Sequence, residues 1–480
     1  MLETFFEGNY WFSRFLLQRS LGAIYLIAFL NALTQFRPLM GEKGLMPAPH
    51  LLKRISFKRK PSIFHWYYSD QFFGIIAWIG VALSIIALFG ISESGPIWFS
   101  MLVWFTLWLL YQSIVNIGYP FYGFGWESML LEAGFFAIFL GPFDMAVPVL
   151  VIWMFCWMLF RVEFGAGLIK MRGDQCWREL TCLNYHHETQ PLPNPLSRFF
   201  HLMPESYHKM ETGFNHFVQL VVVWGLFFPQ PVASIAAGVI ILSQFYLIIS
   251  GNYAWLNWLT LSLGFSALSD GVITQLTGLA PPETASIPLV YNGIVVLLAV
   301  IVLIMSIKPT QNMLSKNQKM NFNYNPLHLV NTYGAFGSVT KTRNEIIIEG
   351  TTDENISEDT EWRSYEFKGK PGDPSQRPPQ VSPGHYRLDW QMWFAAMGSY
   401  QNNPWFITLL RKLLENDEAT LKLLKNDPFS GTSPKYIRSR LYQYEFTSRE
   451  EYKKTGNWWK RRLVEEYTRP VSRKDLGTRN

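Results

Sequence analysis

Charge is scarce in this chain of 480 residues: Asp, Glu, Lys and Arg make up 16% of it, against about 25% in an average soluble domain. With only 3 cysteines, a disulfide-stapled scaffold is excluded. The glycine-rich dinucleotide turn, the phosphate loop and the His-Glu-x-x-His zinc signature are all missing. So is the Gly-x-Ser-x-Gly nucleophile elbow, which argues against the chain being a lipase itself. No internal repeat is visible. What is abundant is apolar and aromatic: 49% hydrophobic residues, 16% aromatic and 19 Trp, which excludes a disordered chain.

The charge is also unevenly placed. After Ile307 lie 27 of the 42 basic and 20 of the 36 acidic residues, so residues 1–307 carry net −1 and the remainder +7. The chain thus has two regimes: a membrane body over 1–307 and a water-soluble tail. A hydrocarbon core about 30 Å thick needs about 20 apolar residues of helix. Phe72–Ile91, Ile97–Val115 and Ile287–Ile307 supply such runs with no formal charge, and Thr212–Ser269 contains none at all. Pro229, Pro231, Gly251 and Asn252 divide that last stretch into three. Adding Ser20–Phe36 and a hairpin over 128–160 turning at Gly141-Pro142 predicts about nine helices, the short ones half-spanning. Met1–Tyr10 is acidic rather than basic, unlike a signal peptide.

Nine spans put the loop Arg37–Lys60, the polar loop 161–213 and the tail on one face. The first loop holds seven basic residues and one acidic, which by the positive-inside rule would make that face cytoplasmic. In the tail, 308–330 reads as a linker and 331–480 as a small α+β domain. Strands are expected near 337–349, 362–368 and 436–446, and helices over 385–396 and 405–414, where Leu409, Leu410, Leu413 and Leu414 share a face. Residues 449–480 read as a charged loose end, with Trp458 and Trp459 beside Lys460, Arg461 and Arg462 suited either to a headgroup surface or to an ordinary solvated terminus. The fold class is therefore mainly α: a polytopic transmembrane helical bundle followed by a small soluble α+β domain.

The densest chemistry lies in and after the fifth span. Arg161, Glu163, Lys170, Arg172, Asp174, Trp177, Arg178, His186 and Glu188 fall within 28 residues, and ionisable groups at membrane depth are functional candidates by default. Glu127 and Glu132 in the fourth span could pair with Arg161. Arg172, Asp174, Arg178 and Glu179 read as an ion-pair network. Cys176 and Cys182 could form a disulfide in an oxidising compartment. With His186 they could ligate a metal, but the Cys-x5-Cys spacing does not match a zinc knuckle and no fourth ligand is evident, so no metal is expected. Lys170 is either a snorkelling helix-end residue or, with its amine near apolar surface, a general base. Tyr386, Trp390 and Trp393 could meet the apolar surface of a partner, or fill a domain core. No cofactor and no nucleic-acid partner are expected; the lipid bilayer is.

Several stretches resemble the lipase maturation factor family: Asn116–Pro142 with its Gly-Phe-Gly-Trp126-Glu-Ser-Met-Leu-Leu-Glu132 core, Phe160–Cys182, His186–Pro195, Ser250–Trp258, Asn331–Thr340 and Pro383–Trp390. The resemblance runs from about residue 9 to 447. It implies a membrane factor, not an enzyme, that helps client proteins, secreted lipases, fold and assemble. It also implies residence in the endoplasmic reticulum membrane of a eukaryote (the cytoplasmic membrane in a bacterium), with the tail facing the lumen. That contradicts the charge-based orientation, and the family topology is preferred because it makes a Cys176–Cys182 bridge feasible. The resemblance brings no catalytic set. More distantly, the body is similar to the transmembrane domain of vitamin K-dependent gamma-carboxylase, which implies the alternative: a membrane enzyme with Lys170 as base.

Overall fold

The computed structural model describes residues 7–477; most of the acidic N-terminal stretch and the last three residues lie outside the described residues. The body is built from α1 (Trp11–Met40), α2 (Asp70–Leu88), α3 (Ile97–Ile117), α4 (Gly125–Ala137), α5 (Val149–Arg172), α6 (Leu183–Thr189), α7 (Glu205–Leu220), α8 (Val232–Ser250), α9 (Leu256–Gly264) and α10 (Leu289–Leu314). Six of these, α1, α2, α3, α5, α8 and α10, are long and apolar enough to cross a membrane. α1 and α2 approach closely because glycine faces the neighbouring helix. A Cβ on Gly22 would fall 2.8 Å from the Leu88 backbone, and one on Gly80 would run into the Phe29 ring.

The bundle has two ends. At one, the Asp270 carboxylate accepts from the Trp11 and Phe12 backbone amides (both 2.9 Å), and Arg14 donates to the Met145 carbonyl (2.7 Å). At the other, Gln35 donates to the His385 carbonyl (2.7 Å), Asn116 to Pro61 (2.8 Å) and Arg172 to Met313 (2.7 Å). Among the described residues, following the chain between these ends gives nine transits, as the hydropathy implied, of which six are continuous helices. The other three are broken: α4 ends at Ala137 before a turn at Gly141 (φ +79°), α7 passes into a 3-10 helix at Val222–Phe227, and α9 into one at Phe265–Ala267. The loop 37–60, the polar loop after α5 and the tail do share one end.

α10 runs to Leu314, into the segment expected to be a linker, and the rest of that segment is tied down on the bundle. Asn312 donates to Thr332 Oγ1 (2.7 Å), Gln318 to the Gly165 carbonyl (2.9 Å), and His328 Nε2 lies 2.8 Å from Asn116 Oδ1. The tail contains β1 (Arg343–Thr351), β2 (Arg363–Tyr365), α11 (Arg387–Ala395), α12 (Pro404–Leu414), β3 (Tyr436–Phe446), α13 (Arg449–Thr455) and β4 (Trp459–Ser472). The strands form one antiparallel sheet in the order β2-β1-β3-β4. α12 packs through buried Leu409, Leu410, Leu413 and Leu414, as their spacing predicted.

Residues 449–472 correct the expectation of a loose end. Ser448 caps α13 in a reciprocal arrangement with Glu451, and β4 is a 14-residue edge strand. Trp459 is 1% exposed and stacks on Phe446 at 3.9 Å, so it offers nothing to lipid headgroups. Trp458 lies beside the Arg198 and Arg377 guanidinium groups.

Candidate functional site: the seam between bundle and tail

The charges singled out in the body meet the tail at a buried seam. Glu132 pairs with Arg161, as expected, and the pair is completed from the tail side. Glu132 also accepts from the Asn331 amide nitrogens (2.9 and 3.0 Å) and from the Tyr333 hydroxyl (2.7 Å), while Arg161 donates to the Asn331 carbonyl (2.5 Å). Glu127 does not join this group. It pairs with Arg387 of α11 at 2.6 Å and accepts from the Tyr111 hydroxyl. Arg387 donates in addition to the Phe121 carbonyl (2.8 Å) and lies 3.4 Å over the Tyr122 ring. A buried charge needs a partner and full hydrogen bonding to be tolerated. Each acid finds it across the seam.

The tail reaches the body by lying flat against α5. A Cβ on Gly165 would sit 2.5 Å from the Tyr333 carbonyl oxygen, and one on Gly173, just past the helix, would overlap the Gly337 carbonyl. The glycines of the dense segment are therefore contact positions for residues 333–337. Trp177 donates to the Phe336 carbonyl (2.8 Å), the Asp174 carboxylate accepts from the Val339 amide (2.7 Å), and Arg172 donates to Gln318 Oε1 (2.7 Å). Arg178 donates to the carbonyls of Met171 (2.9 Å) and Gly173 (3.2 Å). The expected ion-pair network among Arg172, Asp174, Arg178 and Glu179 is thus replaced by bonds to backbone and amide groups. Cys176 and Cys182 are joined by a disulfide, with Cα atoms 4.8 Å apart.

Glu163 accepts from Gln219 (3.1 Å) and Gln244 (2.6 Å). Lys170, 6% exposed, donates to Asn215 (2.7 Å) and to Gln219 Oε1 (3.0 Å), and its ammonium lies 4.9 Å from the Trp177 ring centre. It is buried rather than snorkelling. It lines a cavity of about 370 Å³ with Trp177, His186, Glu211, Tyr246 and Phe336. His186 Nε2 lies 2.8 Å from the Tyr253 hydroxyl, and burial lowers this imidazole to about 3. Glu188 accepts from the Phe446 amide (2.7 Å), and burial raises its carboxyl to about 7.

The aromatic residues expected to meet a partner are part of the seam. Trp390 is 3% exposed and packs edge-on against Trp126 at 4.9 Å; Trp393 donates to the Thr189 carbonyl (3.1 Å). Trp390 is thus filled by the seam, whereas Trp393 stays partly exposed next to the exposed Phe394. Tyr386 is partly buried beside Gly369.

Sequence reasoning missed three further docking residues. Arg343 donates to the carbonyls of Glu188 (2.9 Å), Gln190 (2.5 Å) and Pro191 (3.0 Å) and pairs with Glu345 (2.6 Å), which also holds Lys370 (3.0 Å). Asn252, read only as a helix break, donates to Pro193 and Pro379 and accepts from the Val381 and Ser382 amides, all within 2.9–3.0 Å. Arg387 was missed because its partner is far away in sequence. Among the described residues, one group has the chemistry of a metal site: His187, His208 and Glu211.

The architecture defines a class: a polytopic membrane protein whose soluble domain is built into one end of its helical bundle. The lipase maturation factor transmembrane domain matches residues 12–275, and the lipase maturation factor C-terminal domain matches residues 329–469. Human lipase maturation factor 1 is 40% identical over 98% of this chain and 89% of its own length, and the mouse protein is 40% identical over 98% and 88%. Lipase maturation factor 2 of Xenopus laevis is 26% identical over 93% of this chain and 80% of its own length. The chain belongs to the lipase maturation factor family. No solved structure matches it.

Proposed function

We propose that this protein is a membrane-anchored factor that assists the folding and assembly of secreted lipases, and that it does so without catalysing a reaction. The observation that carries this reading is the match over 98% of the chain to proteins named lipase maturation factor 1. The seam supports it physically. Three buried acids (Glu127, Glu132 and Glu188) are each bonded across the junction, so the soluble domain is held in a fixed pose at the membrane surface. Anchoring in that way raises the local concentration of a binding surface where clients emerge. With Trp390 buried, a surface suited to a client is the outer sheet edge, where Leu463 and Val464 of β4 are exposed. An unpaired strand edge can accept an extended segment of an immature chain.

The Cys176–Cys182 bridge lies at the tail's end of the bundle and favours an oxidising compartment there, hence a tail in the lumen of the endoplasmic reticulum. The seven basic residues of 37–60 then run against the positive-inside tendency. Co-purification of a secreted lipase with the full chain tests the reading. Leu463→Asp with Val464→Asp should reduce the captured lipase at least several-fold with no change in melting temperature; undiminished capture would reject the edge as the client surface.

One observation keeps an enzyme reading in view: Lys170 is buried at the wall of a cavity whose mouth carries exposed Met210, Phe214 and Leu242. Lys170→Arg keeps the charge and replaces the amine with a guanidinium that does not give up its proton. Loss of lipase maturation in that variant, with client capture intact, would favour catalysis.

A further inference from the structure

We propose that His187, His208 and Glu211 bind one divalent transition-metal ion of the zinc type, in a site that pins α6 to α7. α7 places His208 and Glu211 at i and i+3, on one face, and α6 brings His187 against them. His187 Nε2 lies 3.2 Å and His208 Nδ1 3.8 Å from the same carboxylate oxygen, Glu211 Oε2. One ligand atom from each of the three residues falls within 4.8 Å of the others. Tetrahedral zinc, with bonds of about 2.0–2.2 Å, needs its ligand atoms about 3.3–3.5 Å apart. Small side-chain rotations close the difference.

The surroundings fit an ion better than a bare hydrogen-bond cluster. Both imidazoles are 2% exposed. The ion-pair contacts of Glu211 among the described residues are these two imidazoles alone, with no Lys or Arg. The Glu211 carboxylate also accepts from the Tyr246 hydroxyl, and a bound cation would supply the compensating charge that no Lys or Arg supplies here. His208 Nε2 faces the His201 carbonyl at 3.4 Å, the kind of outer partner that fixes the tautomer of a ligating histidine. That leaves His208 Nδ1 for the ion, and this atom is buried with no hydrogen-bond partner. The donor set of two imidazoles and one carboxylate suits zinc, and three protein ligands leave one exchangeable position. Glu211 also forms part of the wall of the 370 Å³ cavity that Lys170 lines.

The experiment uses the full chain in detergent, purified through a tag without histidine, stripped with a chelator and titrated with Zn²⁺. One zinc per chain by elemental analysis and a rise in melting temperature of about 3 °C or more are expected. Co²⁺ in place of zinc should give the visible absorption of a four-coordinate ion. Glu211→Gln and His208→Gln should abolish both stoichiometric binding and the thermal shift, while Glu205→Gln, exposed on the same helix, should retain them. Equal zinc content in the wild type and Glu211→Gln would overturn the site. Should the variants fold poorly, the cobalt spectrum of the wild type decides: its absence at one equivalent overturns the proposal. None of these readouts depends on lipase maturation.

Discussion

Glu127, in the first turn of α4 within the bundle, forms its ion pair with Arg387 in the soluble domain, 260 residues further along the chain. Both side chains are fully buried. The membrane-embedded and watery parts of this protein therefore share a charge-compensated interior and should not be separable without cost.

Removing one partner of this pair leaves the other charged and buried, which costs about 3–5 kcal/mol. Arg387→Met should lower the melting temperature of the full chain and open the seam to trypsin. Adding Glu127→Gln should restore most of the loss, because a neutral amide tolerates the site. Thermal unfolding of the two variants and the wild type in the same detergent checks this; equal destabilisation by the single and double changes would contradict it.

Glu132 and Arg161 should behave differently on charge reversal. Glu132 is an acceptor for Asn331 and Tyr333 as well as for Arg161, and Arg161 a donor to a carbonyl. Exchanging the two charges restores attraction but sets donors against donors. The double variant Glu132→Arg with Arg161→Glu should recover less than half of the stability lost in Glu132→Arg alone, read as melting temperature.

Gly173→Ala places a methyl group into the Gly337 carbonyl, and Gly165→Ala one against the Tyr333 carbonyl. Overpacking of this kind costs about 1–3 kcal/mol. Protection of the 333–339 amides from hydrogen exchange should fall in both variants, with that of the far end of the bundle unchanged. Gly213→Ala, which meets open space, is the control.

Glu188 gives a pH dependence with a defined sign. Its carboxyl is raised by burial from 4.5 to about 7 in the folded state. Its contribution is therefore fully present below about pH 4.5 and lost as the pH rises through 7. Glu188→Gln retains an acceptor for the Phe446 amide but does not titrate. The variant should gain on the wild type between pH 5 and 8, by on the order of 2 kcal/mol. His201, lowered by burial to about 4, acts in the opposite sense, losing stability as the pH falls below its ordinary 6.5. Its Nε2 lies 3.4 Å from Glu188 Oε2, so the two groups are coupled and Glu188→Gln with His201→Gln is the comparison that separates them.

Much of the body could be read from the chain because uncharged runs of about 20 residues have few other uses. The nine transits were visible in that way, and so was the Glu132–Arg161 pair, since both lie in spans where a lone charge is untenable. The breaks were harder to place. α7 opens on Glu205-Ser-Tyr-His-Lys-Met-Glu, whose polar character makes half a transit look like loop. β3 was legible from its alternation, but β4 was not: Lys460, Arg461 and Arg462 followed by Glu465 and Glu466 read as a solvated end. Charge of that kind is how an edge strand is kept from pairing indiscriminately. Arg387 sits in a helix whose first polar and apolar residues alternate rather than dividing into two faces, and only the folded chain shows that its partner lies in the membrane body. The aromatic groups of the same helix stayed ambiguous for a related reason: Trp390 is as consistent with a partner surface as with a domain core until the surface opposite it, Trp126, is known.

The most direct measurement is secreted lipase activity from cells depleted of their own lipase maturation factors and supplied with this chain. The account predicts that the full chain restores active secreted lipase, and that Arg387→Met, at matched expression, restores much less. Lipase activity that stays at the level of the empty vector, with the chain folded and resident in the membrane, would contradict it.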